Sequence, residues 1–492
     1  MGDAAPHAWP RFLLDGEVVE ARDATPTTTL LQYLRGPLAR HGTKEGCAEG
    51  DCGACTVVVG EPGDGRIRYR AVNACIRFVG AVDGCEVVTA ESLRAPTGEL
   101  HPVQQAMVDC HASQCGFCTP GFVMSLFAGY LEGTLGDREA VLDTISGNLC
   151  RCTGYRPIVD AGVSVPGRAE LSHWSRADAQ SNERRAALDA IQPATALRMD
   201  SGAGFDAPRT LDALADLLAA NPEALLLAGG TDVGLWVTQQ MRELPRMIFL
   251  GNVPELVRID AHATHLDIGA AVDLERAYAA IVAEYPSLAQ LANRFASVPI
   301  RNAGTLCGNV ANGSPIGDSM PVLIALGATV LLRRGTAMRE LPMEALYLGY
   351  QRKALLPGEF VAAVRVPRAT AGVQVASYKI SKRFEQDISA VCAGIAVQVR
   401  DGRVASARIA FGGMAPTPKR ALQAEAALVD EPWTLPTVEA AMAALGRDYD
   451  PISDMRASAG YRRTVAANLL KRFFLEHAPL GEAVSVFADL RA

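Results

Sequence analysis

The chain has 492 residues, of which 49% are hydrophobic, and its formal net charge is −7. This length predicts several domains with separate cores, and the apolar fraction excludes a largely disordered protein. The negative charge, with no concentrated basic stretch, argues against nucleic-acid binding as the main function.

The chain opens on a polar segment, Met1–Pro6, and not on a basic and apolar leader. Its longest apolar run, about residues 321–332, is too short to span a bilayer, so we expect a cytoplasmic protein. Ten of the twelve cysteines precede residue 153. In a protein without a leader they do not predict a disulfide framework. They indicate inorganic chemistry in the N-terminal third of the chain.

The first domain is predicted to begin with short secondary-structure elements. Asp15-Gly16 between Arg11–Leu14 and Glu17–Glu20 predicts a β-hairpin. A short helix is expected over Thr29–Leu34, and the β-branched run Thr56–Val59 predicts a strand. Together they predict a small mixed sheet around a cysteine-rich loop.

That loop carries Cys47, Cys52 and Cys55 at C-x4-C-x2-C spacing, and Cys75 follows after nineteen residues. This is the ligand spacing of a plant-type 2Fe–2S cluster. Interleaved glycines allow the loop to wrap tightly around a cluster. A structural zinc site is the alternative, but the spacing favours iron and sulfur. Cys85 has no partner at ligand spacing and is expected to be a buried structural thiol.

A second group of thiols follows, with Cys115 and Cys118 separated by thirty-one residues from Cys150 and Cys152. Helices are predicted over residues 122–131, over 138–145 with Asp137 as cap, and from Pro157 onwards; Cys110 is expected only to pack. The spacing leaves both iron–sulfur and zinc open. The upstream loop favours iron–sulfur here as well, because electron transfer needs centres in series.

At this point the sequence resembles a known family. Gln114–Gly121 (QCGFCTPG), Cys150–Pro157 (CRCTGYRP) and the loop Glu45–Cys55 are similar to the xanthine dehydrogenase family of molybdenum hydroxylases. The resemblance implies a multidomain α+β protein, with a β-grasp 2Fe–2S ferredoxin domain over 10–90 and a helical-bundle 2Fe–2S domain over 91–165. It also implies that the helical-domain cluster lies beside a molybdenum cofactor and that Gln114 hydrogen-bonds the pterin.

Residues 166–200 are rich in small and polar residues and predict a surface linker without a core. Beyond it, a helix is expected over Thr210–Leu218 and a buried strand over Ala224–Ala228, which runs into a double-glycine turn. Alone, that turn is a weak signal for phosphate binding. A polar stretch over 295–318 predicts a long functional loop, with an ordinary surface loop as the alternative.

These pieces resemble the FAD-binding domain of the same family, of the vanillyl-alcohol-oxidase type, over 201–375. The resemblance implies that the segment 226–233 cradles the FAD pyrophosphate, that 305–309 continues the cradle, that Phe295 packs beside FAD and that Asp318 anchors it. The implied cradle residues are Leu226, Leu227, Ala228, Gly229, Gly230, Thr231, Asp232, Val233, Thr305, Leu306, Cys307, Gly308 and Asn309.

The last part, 376–485, predicts strands over Gly394–Val399 and Ala407–Phe411, joined by an Asp401-Gly402 turn, and then helices over 438–445 and 461–475. It resembles the α/β flavoprotein C-terminal domain of the family. The resemblance implies that Lys379 contacts the flavin and that the loop 382–387 lies near the flavin ring.

The resemblance implies an electron-transfer subunit of xanthine dehydrogenase. Electrons from hypoxanthine or xanthine, oxidised at a molybdenum cofactor on a separate large subunit, would pass through two 2Fe–2S clusters to FAD and then NAD. We expect a hetero-oligomer, a heterotetramer, with that large molybdopterin-binding subunit, and no catalytic side chain in this chain. Oxidation of an aldehyde or another heterocycle, oxygen as acceptor, and a zinc-binding scaffold remain alternatives.

Overall fold

The computed structural model describes residues 5–63, 65–384 and 386–478. The helices are α1 (Leu30–Arg35), α2 (Pro102–Asp109), α3 (Thr119–Glu132), α4 (Arg138–Thr144), α5 (Arg156–Ser164), α6 (Arg176–Ala179), α7 (Asn182–Ala190), α8 (Leu211–Ala220), α9 (Val233–Thr238), α10 (Leu274–Glu284), α11 (Ala289–Arg294), α12 (Val298–Ala303), α13 (Leu306–Asn312), α14 (Ser319–Leu326), α15 (Leu422–Ala426), α16 (Leu435–Asp448) and α17 (Ala459–His477).

The strands are β1 (Arg11–Leu14), β2 (Glu17–Glu20), β3 (Thr56–Pro62), β4 (Ile67–Asn73), β5 (Glu86–Val88), β6 (Leu197–Met199), β7 (Phe205–Ala207), β8 (Leu225–Leu227), β9 (Met247–Phe249), β10 (Ile259–Ala261), β11 (His265–Gly269), β12 (Thr329–Arg334), β13 (Ala337–Pro342), β14 (Tyr347–Gly349), β15 (Arg352–Lys353), β16 (Phe360–Pro367), β17 (Val373–Ile380), β18 (Val391–Arg400), β19 (Arg403–Gly412) and β20 (Lys419–Arg420).

The chain forms two compact units. The first unit comprises residues 1–255 and 296–304, and the second comprises 256–295 and 305–492. Within the described residues, no helix combines the length and the apolar character needed to cross a membrane.

The first sheet of the first unit has the strand order β2-β1-β5-β3-β4. The predicted hairpin is present, with Leu14 opposite Glu17 across the Asp15-Gly16 turn, and β5 joins β1 in parallel. Helix α1 begins at Thr29, whose side chain accepts the N–H of Gln32 in a capping box. This mixed sheet with one short helix against it is the predicted architecture.

Helices α2–α5 pack around a core that includes Phe122 and Phe127. Asp137 caps α4 as expected, accepting the N–H of Ala140, and Pro120 lies in the first turn of α3. Cys110 packs at the edge of this core.

The segment 166–200 is not the core-free linker that its composition predicts. It forms α6, α7 and β6, and Trp174, Leu188 and Ile191 are buried in the same core as the helices before it. The indole N–H of Trp174 donates to the carbonyl of Ser92 at 3.1 Å. A few large residues suffice for this packing, so average composition is a poor guide here.

The first unit ends in a sheet with the order β6-β7-β9-β8, covered on one side by α8. Strand β8 leads into the double-glycine turn and then into α9. Helix α12 also belongs to this unit, although it is distant in sequence, and it packs against β4. The Nδ2 group of Asn302 in α12 donates to the carbonyl of Ala71 at 3.0 Å.

The second unit contains a sheet with the order β10-β11-β16-β12-β13 and another with the order β17-β18-β19-β20. The polar stretch 295–318 is largely helical, contrary to the predicted long loop. Thr305 caps α13, and Leu306, Cys307 and Val310 of that helix are buried. Burial of these apolar side chains outweighs the low helix propensity of the surrounding Gly, Asn and Thr residues.

The Asp401-Gly402 turn joins β18 to β19 with positive φ at both positions, as the sequence predicts. The predicted helices over 438–445 and 461–475 are the central parts of α16 and α17. The end of the last predicted domain, residues 479–485, and Glu385 of the predicted 382–387 loop lie outside the described residues.

Burial of the segment 166–200 leads to a stability prediction. Leu188 is 1% exposed, and Leu188→Ala is expected to lower the free energy of unfolding by about 2–4 kcal/mol, because it leaves a cavity. The control Val108→Ala, at a side chain that is 56% exposed, is expected to change it by less than about 0.5 kcal/mol. Denaturant midpoints of the first unit test this, and equal midpoints would place the segment outside the core.

Candidate metal and cofactor centres

The first cysteine loop brings Cys47, Cys52, Cys55 and Cys75 together. Cys55 and Cys75 are buried, and Cys47 and Cys52 are half-buried. The N–H of Cys52 donates to Sγ of Cys47 at 3.3 Å, and Nδ2 of Asn73 lies 3.8 Å from Sγ of Cys55. Such donors around thiolates stabilise their charge and influence the reduction potential of a cluster.

Protonation in this loop is shared between neighbouring sulfurs. Side-chain hydrogen bonds with Cys52 and Cys75 hold the pKa of Cys47 well below its usual range. The thiolate is the form that binds metals. The same hydrogen bonds raise the pKa of Cys52 and Cys75, so a proton is shared between neighbouring thiols when no metal is bound.

The four sulfurs of the first loop lie next to one another. Among the residues that the structure describes, no three cysteine sulfurs all lie within 4.8 Å of one another. Cys47 contacts both Cys52 and Cys75, and Cys55 contacts Cys75. These contacts join the four sulfurs into one group that can hold a metal centre.

The second cysteine group is also paired, each pair taking one sulfur from each half of the motif. Cys115 contacts Cys152, and Cys118 contacts Cys150. The N–H of Cys150 donates to the hydroxyl of Tyr155 at 3.1 Å. These four sulfurs can therefore hold a second metal centre in the helical part.

The two cysteine groups differ in exposure. In contrast to the buried first loop, Cys115 and Cys152 are exposed. Gln114 is exposed as well, and so is Phe117, at 48%. The second cysteine group therefore lies nearer to solvent than the first.

A direct backbone contact joins the two ligand loops. The N–H of Leu149, the residue before Cys150, donates to the carbonyl of Cys52 at 3.0 Å. Nδ2 of the buried Asn148 donates to the carbonyl of Gly53 at 3.1 Å. One ligand of the second group is therefore connected to one ligand of the first through a single residue and one hydrogen bond.

Glycine makes this approach possible. A Cβ atom at Gly53 would lie 2.1 Å from the carbonyl oxygen of Gly147, and one at Gly121 would lie 2.2 Å from the carbonyl oxygen of Gly53. Gly53 also has a φ of +69°, which other residues adopt only with strain.

Helix α9, which begins at the last residue of the predicted pyrophosphate segment, touches the first cysteine loop. A Cβ atom at Gly234 would lie 2.5 Å from the carbonyl oxygen of Ile76, the residue after Cys75. Oγ1 of Thr238 donates to the carbonyl of Ala48 at 2.6 Å, and Nε2 of Gln239 donates to the carbonyl of Cys47 at 2.8 Å. Helix α9 is therefore attached to both ends of the first ligand set.

The double-glycine turn has a structural reason of its own. A Cβ atom at Gly229 would lie 2.0 Å from the carbonyl oxygen of Ala303 in α12, so close packing within the first unit requires glycine. Gly230 has a φ of +73° and nothing closer than 3.4 Å to its Cβ position, so its backbone conformation and not crowding favours glycine there. Burial raises the pKa of Asp232.

In the second unit, the predicted FAD residues fall on α13 and its surroundings. Oγ1 of Thr305 accepts the N–H of Gly308 at 3.0 Å. Oδ1 of Asn309 is buried and has no hydrogen-bond partner among the described residues, as expected of a side chain whose partner is a ligand. Burial raises the pKa of Cys307 to about 12, so this thiol stays protonated and is inert.

Asp318 and Lys379 form a buried ion pair in the second unit. Their side chains lie 2.7 Å apart, and Ser389 donates to the other carboxylate oxygen of Asp318 at 2.5 Å. Nζ of Lys379 also donates to the carbonyl of Arg294, next to Phe295. Phe295 is itself buried against the ring of Tyr278. The pair therefore joins two of the predicted FAD residues and reaches the backbone next to the third, Phe295.

Sequence reasoning did not single out Asn148, Thr238, Gln239 or Ser389. Asn148 lies two residues before the predicted ligand Cys150, so its position was a usable signal. The other three become visible only through long-range contacts.

Four domain families match the chain. A 2Fe-2S iron-sulfur cluster binding domain matches residues 12–79, and a [2Fe-2S] binding domain matches 89–162. The FAD binding domain in molybdopterin dehydrogenase matches 202–369, and the CO dehydrogenase flavoprotein C-terminal domain matches 376–477. These matches agree with the 2Fe–2S and FAD-binding fold classes expected from the sequence.

Curated relatives match nearly the whole chain. Xanthine dehydrogenase of Emericella nidulans is 32% identical over 98% of this chain, and aldehyde oxidase 4 of Cavia porcellus is 30% identical over 94% of it. The chain spans only 39% of the length of each of these two relatives.

Solved structures match about half of the chain. Carbon monoxide dehydrogenase from Hydrogenophaga pseudoflava is 29% identical with a TM-score of 0.52, and the match covers 55% of this chain and 94% of that one. Quinoline 2-oxidoreductase from Pseudomonas putida 86 is 25% identical with a TM-score of 0.51, and the match covers 56% of this chain and 97% of that one.

The contact between the two ligand loops is testable with matched glycine variants. Gly53→Ala places a methyl group against the backbone of Gly147, whereas Gly133→Ala has almost the same φ, +68°, with nothing closer than 3.9 Å. Both variants have the cost of a left-handed residue, about 1–2 kcal/mol. Only Gly53→Ala is expected to lose iron from the purified protein, and equal iron contents in the two variants would contradict the close approach.

Proposed function

The chain belongs to the molybdenum hydroxylase family, and from this premise we propose that it is the electron-transfer part of a xanthine dehydrogenase. In this proposal, electrons from hypoxanthine or xanthine, oxidised at a molybdenum cofactor on a partner subunit, enter at the second cysteine group. They leave through the first group to FAD and then to NAD. The continuous set of contacts between the ligand loops and α9 is the observation that supports this order.

The contacts form one continuous path through the first unit, from the exposed cysteines to α9. The exposed pair Cys115 and Cys152 lies at the surface, and Cys150 connects to Cys52 through Leu149. The far side of the first loop contacts α9 at Cys47. A relay needs an exposed entry, short internal connections and an exit towards the acceptor, and the first unit has residues in each of these places.

The side chains hold and position the redox groups. When bound, the clusters carry single electrons, and FAD collects a pair and passes a hydride to NAD. The eight predicted ligands supply thiolates, and the buried Cys55 and Cys75 keep water from that side of the first site. No side chain of this chain is needed as a general acid or base for the oxidation of the purine.

We propose that a partner subunit binds the molybdenum cofactor. This partner covers the exposed face that includes Gln114, Cys115, Phe117, Leu149 and Cys152. Phe117 and Leu149 are 48% and 42% exposed beside the ligands. An apolar patch at the entry of electrons suits a stable protein interface. In this arrangement Gln114 hydrogen-bonds the pterin.

The identity of the substrate is a proposal that rests on the first relatives, which are xanthine dehydrogenases. Aldehyde oxidases match at nearly the same identity. Steady-state assays of the complex with xanthine and with an aromatic aldehyde would separate the two. Preference for the aldehyde would replace the purine in this proposal and leave the relay unchanged.

The composition of the purified chain tests the relay directly. Two clusters and one flavin predict about four irons, about four acid-labile sulfides and one FAD per chain. Metal analysis and a visible spectrum measure these amounts. Zinc in place of iron, or no flavin, would favour the zinc-binding scaffold instead.

The order of the relay is testable with Cys115→Ser. This variant is expected to lose about two irons and xanthine-dependent reduction of NAD, while NADH-dependent reduction of a dye through FAD persists. The half-buried Cys110 serves as the control, and Cys110→Ser is expected to retain both activities and all iron. Loss of the dye reaction in folded, flavin-bound Cys115→Ser would contradict the order.

A further inference from the structure

Two histidines and an aspartate gather at one end of the first sheet of the second unit. His262 follows β10, and His265 and Asp267 lie on β11, where β10 and β11 are antiparallel neighbours. Leu266 and Ile268, which alternate with them, are buried in the core. The strand period of two therefore places the imidazole and carboxylate groups together on the polar face of the sheet.

The distances within this His262/His265/Asp267 cluster suit metal ligands better than hydrogen bonds. Nε2 of His262 and Nε2 of His265 each lie 3.6 Å from Oδ2 of Asp267, which is too long for a hydrogen bond. All three ligand atoms lie within 4.8 Å of one another. Ligand atoms about 2.0–2.1 Å from a tetrahedral zinc ion would be about 3.3 Å apart, so only a small contraction is needed.

His265 is held in the orientation that a ligand needs. Its Nδ1 atom is hydrogen-bonded to Oγ1 of Thr264 at 2.9 Å. Its Nε2 atom is buried and has no hydrogen-bond partner among the described residues. A hydrogen bond on one ring nitrogen, with the other nitrogen left without a protein partner, is the usual arrangement of a metal-binding histidine.

The ring of His262 completes the cluster. It stacks on the ring of His265 with centroids 4.5 Å apart, and its side chain is 49% exposed. The exposed position gives an ion access from solvent, whereas Asp267 and His265 are largely covered. Asp260, directly opposite Asp267 on β10, is exposed and is the nearest further carboxylate along the strand pair.

Arg365 is the positively charged group that would repel a cation at this cluster. Its Nε and Nη2 atoms hold both oxygens of Asp267 at 2.8 Å. The charge of Arg365 is shared with Glu340, whose carboxylate lies 2.9 Å from Nη1. Arg365 therefore orients the carboxylate as an outer hydrogen-bond donor, while its remaining charge lowers the affinity for a cation.

We propose that His262, His265 and Asp267 bind one divalent transition-metal ion of the zinc class. Two imidazoles and one carboxylate suit Zn²⁺ and its neighbours better than Mg²⁺ or Ca²⁺, which prefer oxygen ligands alone. The ion connects the end of β10, an edge strand, to β11 and stabilises the hairpin. This site uses none of the eight cysteines assigned to the clusters.

Equilibrium dialysis of the protein, loaded with its clusters and FAD, against Zn²⁺ tests this site, with bound zinc measured by mass spectrometry. The native chain is expected to bind about one zinc ion. The affinity of His265→Gln for zinc is expected to be lower by a factor of about ten or more. X-ray absorption at the zinc edge is expected to show imidazole and oxygen ligands. Sulfur ligands would place the ion on cysteines and overturn the proposal.

Two further variants keep the test decisive. His262→Gln changes a half-exposed side chain in a turn and is expected to fold normally and to lose zinc as His265→Gln does. His111→Asn is the control, because His111 is an exposed histidine outside the cluster with a φ of +51°, which asparagine tolerates. It is expected to retain the ion. No zinc bound by the native chain, or equal loss in the control, would overturn the proposal.

Discussion

The first unit depends on the close backbone approach of its two ligand loops. The carbonyl of Gly53 accepts a hydrogen bond from Asn148 and lies against Gly121. A side chain at either glycine would push the loops apart, since the positions of the missing Cβ atoms lie 2.1 and 2.2 Å from carbonyl oxygens. Separation would also break the hydrogen bond from Leu149 to Cys52. The packing of the loops and the hydrogen bonds between them therefore depend on the same two glycines.

Close packing and hydrogen bonds also hold the other side of the first loop. Helix α9 follows the double-glycine turn, and its polar side chains bind the backbone of Cys47 and Ala48. Helix α12, distant in sequence, fills the space between that turn and β4, so Gly229 meets the carbonyl of Ala303. Backbone carbonyls of the ligand loop are thereby satisfied by protein donors, which fixes the loop whether or not its sulfurs change charge.

In the second unit, the central interaction is a buried pair of charges, Asp318 and Lys379, and not a contact between backbone groups. Removing both charges from water is costly, and only additional hydrogen bonds from Ser389 and to the carbonyl of Arg294 compensate for it. Such a network contributes specificity of arrangement more than stability. It orders the surroundings of Phe295, where the family resemblance places FAD.

The sequence by itself determined the local features: the ligand spacings, the Asp15-Gly16 and Asp401-Gly402 turns, and the cap at Asp137. These depend on a few consecutive residues, whose chemistry is the same in any fold. Only the tertiary structure decided that residues 295–318 are mostly helical and divided between two units, and that residues 166–200 contribute to a core. It also decided which loops meet, because contacts such as that between Leu149 and Cys52 join segments far apart in the chain, and local propensity carries no information about them.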